Sequence, residues 1–296
     1  MTQNVQRIVG DWIQEAERRR DYDALRKSAG PAPALIVENE VLREESIRYT
    51  VQLLVAERCS RAAAAGLLNE MPSESGKQHL AVQVIDEARH VEVFTNRILR
   101  LGVSEQELDD TILRFAHPDL LGIADVILGQ VREGDYIVGV VAQNIILDEA
   151  LSTVYRMLES TVSEIDPAFS SELRSIIEDE SKHIGFGESE LRDLIVRHPE
   201  KKIEIARIYR EIGGLLLRTF EAALLDNPMV EEFRRLRAGR RAGGDKPMAW
   251  CGIDMIETGT EPFERALITQ ISQRVEGTLE NLGVDVTHLR NSSLGR

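Results

Sequence analysis

Two five-residue stretches decide how this chain reads: Asp86-Glu87-Ala88-Arg89-His90 and Asp179-Glu180-Ser181-Lys182-His183. Both have the form Asp-Glu-x-x-His, and each lies in the middle of a long segment of helical periodicity. On a helix, residues i and i+3 share a face, so each Glu and its His point the same way and can grip one ion together. The chain has six histidines, and two of them carry this extended pattern. A single Glu-x-x-His reads as a solvated pair. The twinned motif, with Val, Ile and Phe beside it, reads as metal ligands. His79, His117, His198 and His288 lack a partner pattern and read as structural or exposed.

Outward from the motifs the sequence is almost all helix, with a period near 3.6 and little β-branched alternation. Helices are expected over residues 11–26, 38–70, 76–101, 136–160, 171–197, 201–225 and 261–282, with two shorter ones between 104 and 134. Pro72, Gly102, Pro199 and Pro228 punctuate them. Ser104 and Glu107 have the spacing of a capping box. The predicted fold is all-α: a four-helix bundle with additional flanking helices. It forms a single domain over 1–296, with a helical core at 38–225 and a C-terminal helical extension at 226–296.

Composition narrows the function classes. Of 296 residues, 43% are apolar, enough to bury a substantial core. The net charge of −14 disfavours nucleic acid and anionic membranes as partners. The basic stretch at 234–241 has no interleaved aromatics and reads as a solvated helix end. The N-terminus shows no signal-peptide pattern, and no apolar run of about 18 residues is apparent, so no membrane span is expected. Cys59 and Cys251 show no metal or redox spacing, and a reducing, cytoplasmic setting is expected.

Glu-x-x-His on two helices, plus one Glu from each of two others, is the ligand set of di-iron and di-manganese bundles. The helix before Glu87 offers Glu57, with Glu44, Glu45 and Glu70 as rivals. The helix before Glu180 offers Glu149, on a stripe with Ala142, Ile145, Ile146, Ser152 and Thr153. Asp148 is its rival, about 100° round the helix, with polar Asn144 and Ser152 one turn either side. In both halves about 30 residues separate the lone Glu from the Glu-x-x-His, the length of a helical hairpin. The expected ligands are therefore Glu57, Glu87, His90, Glu149, Glu180 and His183. Four carboxylates balance two divalent ions, and hard oxygen donors with imidazoles suit iron, or manganese. Asp86 and Asp179 are expected to orient the ligand histidines across the bundle, Asp86 to His183 and Asp179 to His90.

These residues resemble the ferritin-like non-haem di-iron carboxylate superfamily, in its O2-activating oxygenase and oxidase branch, over about residues 38–197. The motifs are similar to those of bacterial multicomponent monooxygenase hydroxylases and ribonucleotide reductase small subunits. The resemblance implies a ferritin-like four-helix bundle, two iron ions, O2, a small-molecule substrate, an electron donor such as a ferredoxin or reductase, and a homodimer. Phe94 stands where the reductase subunits place a radical tyrosine, and is instead a candidate wall of a substrate pocket. Tyr155, the tyrosine nearest a ligand in sequence, is expected to point away from the ligand face. Thr153, four residues after Glu149, matches a monooxygenase threonine and is a candidate proton relay. Ile176 replaces the extra histidine of arylamine N-oxygenases, and Gly187 is a candidate for substrate room or for close helix packing. The implied function is oxidation of a small organic substrate with O2. The alternatives are a ferroxidase, a ribonucleotide-reductase-like subunit and a non-catalytic helical module.

Overall fold

The computed structural model describes residues 31–216, 228–239 and 249–286. The helix expected at 11–26, the end of that expected at 201–225, the break at 242–248 and His288 lie outside the described residues. Helix α1, Ala34–Val37, leads into α2, Glu40–Glu70, capped by the Asn39 side chain on the Leu42 amide. Ser73 caps α3, Glu74–Arg100. The Ser104–Glu107 capping box forms as predicted, on a 3-10 turn at Glu105–Glu107 that leads into α4, Leu108–Phe115. Helix α5, Pro118–Arg132, follows with proline in its first turn. Helix α6 covers Tyr136–Val162, and α7, Pro167–Arg197, again starts on a proline. Helix α8, Lys201–Ile208, continues into a π turn at Tyr209–Gly213. Helix α9 is Pro228–Gly239. A hairpin pairs β1, Ala249–Trp250, with β2, Ile253–Asp254, before α10, Met255–Thr258, and α11, Thr260–Asn281.

The bundle is two hairpins, α2 with α3 and α6 with α7, packed together through α3 and α7. α5 covers α2, and α11 lies against α6. α6 departs from the sequence reading in two ways. First, it is long and apolar enough to cross a membrane by length and composition, with a window of mean hydropathy 1.4, contrary to the expectation of no such run. That window is wholly buried inside the protein. A helix apolar on every side belongs in a core when other helices surround it. Second, it is not a uniform α-helix. Val141–Leu147 forms a π-helical segment between α-helical Tyr136–Val140 and Asp148–Val162. A π turn takes more residues than an α turn, so every residue beyond it is rotated away from the position a constant 3.6 period gives.

Gly187 makes the contact between α6 and α7 possible. A Cβ there would stand 2.6 Å from Asn144 Cβ and 3.1 Å from Ile145 Cδ1. Of the two readings of Gly187, close helix packing is the one the structure forms. Gly187→Ala is expected to destabilise the fold by about 1–3 kcal/mol, the cost of overpacking a tight interior, as measured by chemical denaturation. Unchanged stability would show that the helices part freely.

Candidate metal centre

All four long helices send a carboxylate into one completely enclosed volume. Glu57 comes from α2, Glu87 and His90 from α3, Asp148 from α6, and Glu180 and His183 from α7; all are buried. Their donor atoms form two overlapping groups, Glu57/Glu87/His90/Glu180 and Glu87/Asp148/Glu180/His183, with all atoms of each group within 4.8 Å of one another. His90 Nδ1 lies 3.3 Å from Glu57 Oε2, 3.4 Å from Glu87 Oε2 and 3.3 Å from Glu180 Oε1. His183 Nδ1 lies 3.4 Å from Glu87 Oε1 and 3.5 Å from Glu180 Oε2. Glu87 and Glu180 therefore each turn one oxygen to each histidine, the arrangement of bridging ligands.

Five of the six expected ligands converge, and the sixth is replaced by its neighbour. Glu149 is buried but faces α11, where Arg274 Nε donates to it at 2.9 Å and Thr278 Oγ1 at 3.1 Å. Asp148 takes the inward position. The π segment that ends at Leu147 explains the exchange, because it rotates the Asp148–Ser152–Tyr155 stripe toward the core. Thr153 shares the Glu149 side of α6, and its hydroxyl donates to the Glu149 carbonyl at 2.8 Å. It is engaged as an ordinary helix threonine, not as a relay beside the cluster.

The same rotation overturns the expectation for Tyr155. This fully buried side chain donates its hydroxyl proton to Glu57 Oε1. Its ring stacks on Phe94 at 5.7 Å between centroids, and Phe94 meets Phe169 edge-on at 6.2 Å. Phe94 is thus sealed in packing. A cavity of about 80 Å³ lies beyond it, lined by residues that include Leu42, Thr50, Met157, Thr161, Phe169 and Phe263. Arg97 closes this end of the bundle, ion-paired with Asp166 at 2.6 Å and lying over the Phe169 ring.

The opposite end of the cluster is polar. Asp148 accepts from Gln143 at 3.0 Å, Asn144 at 3.2 Å and Gln83 at 3.5 Å, and Gln83 also donates to Glu87 at 3.2 Å. Reading by helical stripe missed this set. Gln143 and Asn144 were visible as two carboxamides inside the apolar run VVAQNIIL, and a buried amide pair beside an acid is a signal for a polar core site.

Each aspartate faces the histidine of the opposite motif. Asp179 lies 3.6 Å from His90 Nε2, and Asp86 3.6 Å from His183 Nε2, electrostatic contacts longer than hydrogen bonds. Arg89 ion-pairs with Asp179, and Lys182 reaches it at 2.8 Å. Electrostatics inside the cluster are severe. Burial, opposed by His90, pushes the Glu57 carboxyl up to about 8. Burial also raises Glu87, but His90 and His183 outweigh it and leave that group at about 2. Burial works against charge on His90 and His183, yet the facing carboxylates hold both imidazoles well above their usual value.

The donor set suits a pair of cations. Glu87 Oε2, both oxygens of Glu180 and His183 Nδ1 accept or donate no hydrogen bond, although each is buried. Buried polar atoms are ordinarily partnered, and these point at one another. A set of four acids and two imidazoles, with Glu87 Oε2 and both oxygens of Glu180 free of hydrogen bonds, matches the oxygen-rich preference of iron or manganese.

The fold has a solved counterpart. A Synechococcus protein described as having aldehyde deformylating oxidase activity superposes with a TM-score of 0.63 over 86% of this chain and 97% of its own, at 18% identity. The architecture is ferritin-like. No protein-family profile matches this chain, and no curated protein matches it in sequence.

Two outcomes test the centre. Asp148→Asn is expected to reduce bound metal to one ion or fewer per chain by elemental analysis, whereas Glu149→Gln retains two and loses thermal stability through its Arg274 contact. The reverse pattern would restore Glu149 as ligand. For the ion-free protein, the signs of the shifts set the pH response. Glu57, raised from 4.5 to about 8, holds a proton in the folded state that the unfolded chain releases, so its contribution is lost as pH rises through that window. The raised histidines act in the same direction. The melting temperature of the ion-free protein should therefore fall as pH rises from about 6.5 to about 8 and change little once metal is bound. A rise over that range would contradict the charge arrangement.

Proposed function

We propose that this protein is a non-haem di-iron oxidoreductase that uses O2 to oxidise a small organic substrate. The reading is carried by the enclosed cluster of Glu57, Glu87, His90, Asp148, Glu180 and His183, whose unpartnered donors would hold two iron ions, with manganese as the alternative metal. The bound ions would supply redox chemistry with dioxygen.

The chain's own residues divide the remaining work. Asp86 and Asp179 orient the two imidazoles with Nδ1 toward the cluster and offset charge that develops on the rings. Arg89 and Lys182 hold Asp179 in place. Tyr155 fixes one oxygen of Glu57 and leaves the other directed inward. The aromatic end, Tyr155–Phe94–Phe169, excludes water and adjoins the apolar cavity, which supports an apolar substrate approaching from that side. Electrons for repeated turnover would come from a ferredoxin or reductase. The oxidase activity described for the Synechococcus protein is in keeping with this class. A cytoplasmic homodimer completes the proposal.

The test is anaerobic loading with Fe(II), followed by O2 uptake in the presence and absence of small apolar substrates. The expected result is two ions per chain, substrate-accelerated O2 uptake, and loss of both metal and uptake in the His90→Ala, His183→Ala double variant. Metal retained at full stoichiometry in that variant would sink the assignment. O2 uptake insensitive to every substrate, with iron mineral as product, would move the protein to ferroxidase.

A further inference from the structure

We propose that the two metal positions are unequal and fill in order: first the one at Glu57 and His90, then the one at Asp148 and His183. This rests on the two-metal reading above. Glu87 and Glu180 belong to both donor groups, so the difference must come from the terminal ligands and from what else each oxygen already binds.

The oxygens that face His90 are Glu57 Oε2, Glu87 Oε2 and Glu180 Oε1. Glu87 Oε2 and Glu180 Oε1 accept no hydrogen bond from the protein. The Tyr155 hydroxyl engages the other oxygen of Glu57, Oε1. The first position therefore meets one neutral donor, the Tyr155 hydroxyl on the far oxygen of Glu57, and no carboxamide.

The second position differs at two of its three carboxylates. Glu87 Oε1, which faces His183, accepts from Gln83 Nε2 at 3.2 Å. Asp148 accepts at both oxygens, from Gln143 at Oδ1 and from Asn144 and Gln83 at Oδ2. Gln83 is itself anchored, since its Oε1 accepts from Asn144 Nδ2 at 3.0 Å. Only Glu180 Oε2 faces this position without a donor. Each amide hydrogen offsets part of a carboxylate's charge and occupies a lone pair that an ion would otherwise use. Asp148 is also one methylene shorter than Glu57, and its carboxyl is drawn toward the amides. A cation thus gains more at the first position, and the protein with one ion bound is left with a second position already stabilised by carboxamides.

The experiment is a calorimetric titration of the ion-free full chain with Mn(II), with free Mn(II) followed in parallel by paramagnetic resonance. Two steps are expected, separated by about tenfold or more in Kd. Asp148→Asn should remove the second step and leave the first, whereas Glu57→Gln should weaken the first by about tenfold or more. Gln83→Leu is the decisive variant. It removes an amide that stabilises the ion-free carboxylates more than the ion-bound ones, so the second step, where it serves both Asp148 and Glu87, should tighten by about tenfold and the first, reached only through the shared Glu87, by clearly less. A merely structural Gln83 would weaken both steps. Should Gln83→Leu not fold, the contrast between Asp148→Asn and Glu57→Gln still decides. Two ions binding in one step of equal affinity, or loss of the first step in Asp148→Asn, would overturn the order and leave the two-metal reading standing. No Mn(II) bound to the unaltered protein would remove that reading itself.

Discussion

Four carboxyl groups enclosed in one apolar core impose the constraint on which this structure turns. Charges of like sign at such distances cannot all persist in a low-dielectric interior without compensation. The protein meets the constraint in three ways. Two histidines share the volume, each steadied from behind by an aspartate. A tyrosine hydroxyl engages Glu57, and three carboxamides engage Asp148. What is left over, on Glu87 and Glu180, is the charge that a pair of cations would neutralise. The paired hairpins, the capped helix starts and the close glycine crossing all serve to bring these groups to one level of the bundle.

The parts of this arrangement that follow from uniform helical geometry were legible in the sequence. Glu87 with His90, and Glu180 with His183, are neighbours on any α-helix, and their mid-helix placement among apolar residues marked them as buried. Glu57 followed from hairpin length, and the crossed aspartates from the twinned motif. The boundaries of α2, α3, α6 and α11 agree with the caps, prolines and glycines that signal them, to within a few residues.

What could not be read depends on a single departure from uniformity. Extrapolating a constant period through α6 puts Glu149 and Thr153 inside and Tyr155 outside. The π segment reverses all three. Its residues, Val141–Leu147, are buried throughout, so no alternation of polar and apolar side chains betrays the change of phase. The polar neighbours of Asp148, which counted against it as an outward-facing residue, are its hydrogen-bond partners inside the core. A stripe that looks polar can face inward when the site itself is polar, a reversal of the usual inference from amphipathicity.

Helix α6 also bears on how the chain comes to be folded. As synthesis proceeds it emerges third among the four long helices, before α7, its hairpin partner, and well before α11, which covers its Glu149 side. Until both have been made, a segment apolar enough to enter a bilayer has nothing in the later chain to lie against. Exposed apolar surface of this kind is what invites aggregation and chaperone capture in nascent chains. The Arg274–Glu149 contact, near the end of the described chain, can form only once α11 has been made. The one described helix apolar enough to cross a bilayer becomes fully enclosed only when almost all of the described sequence has been made.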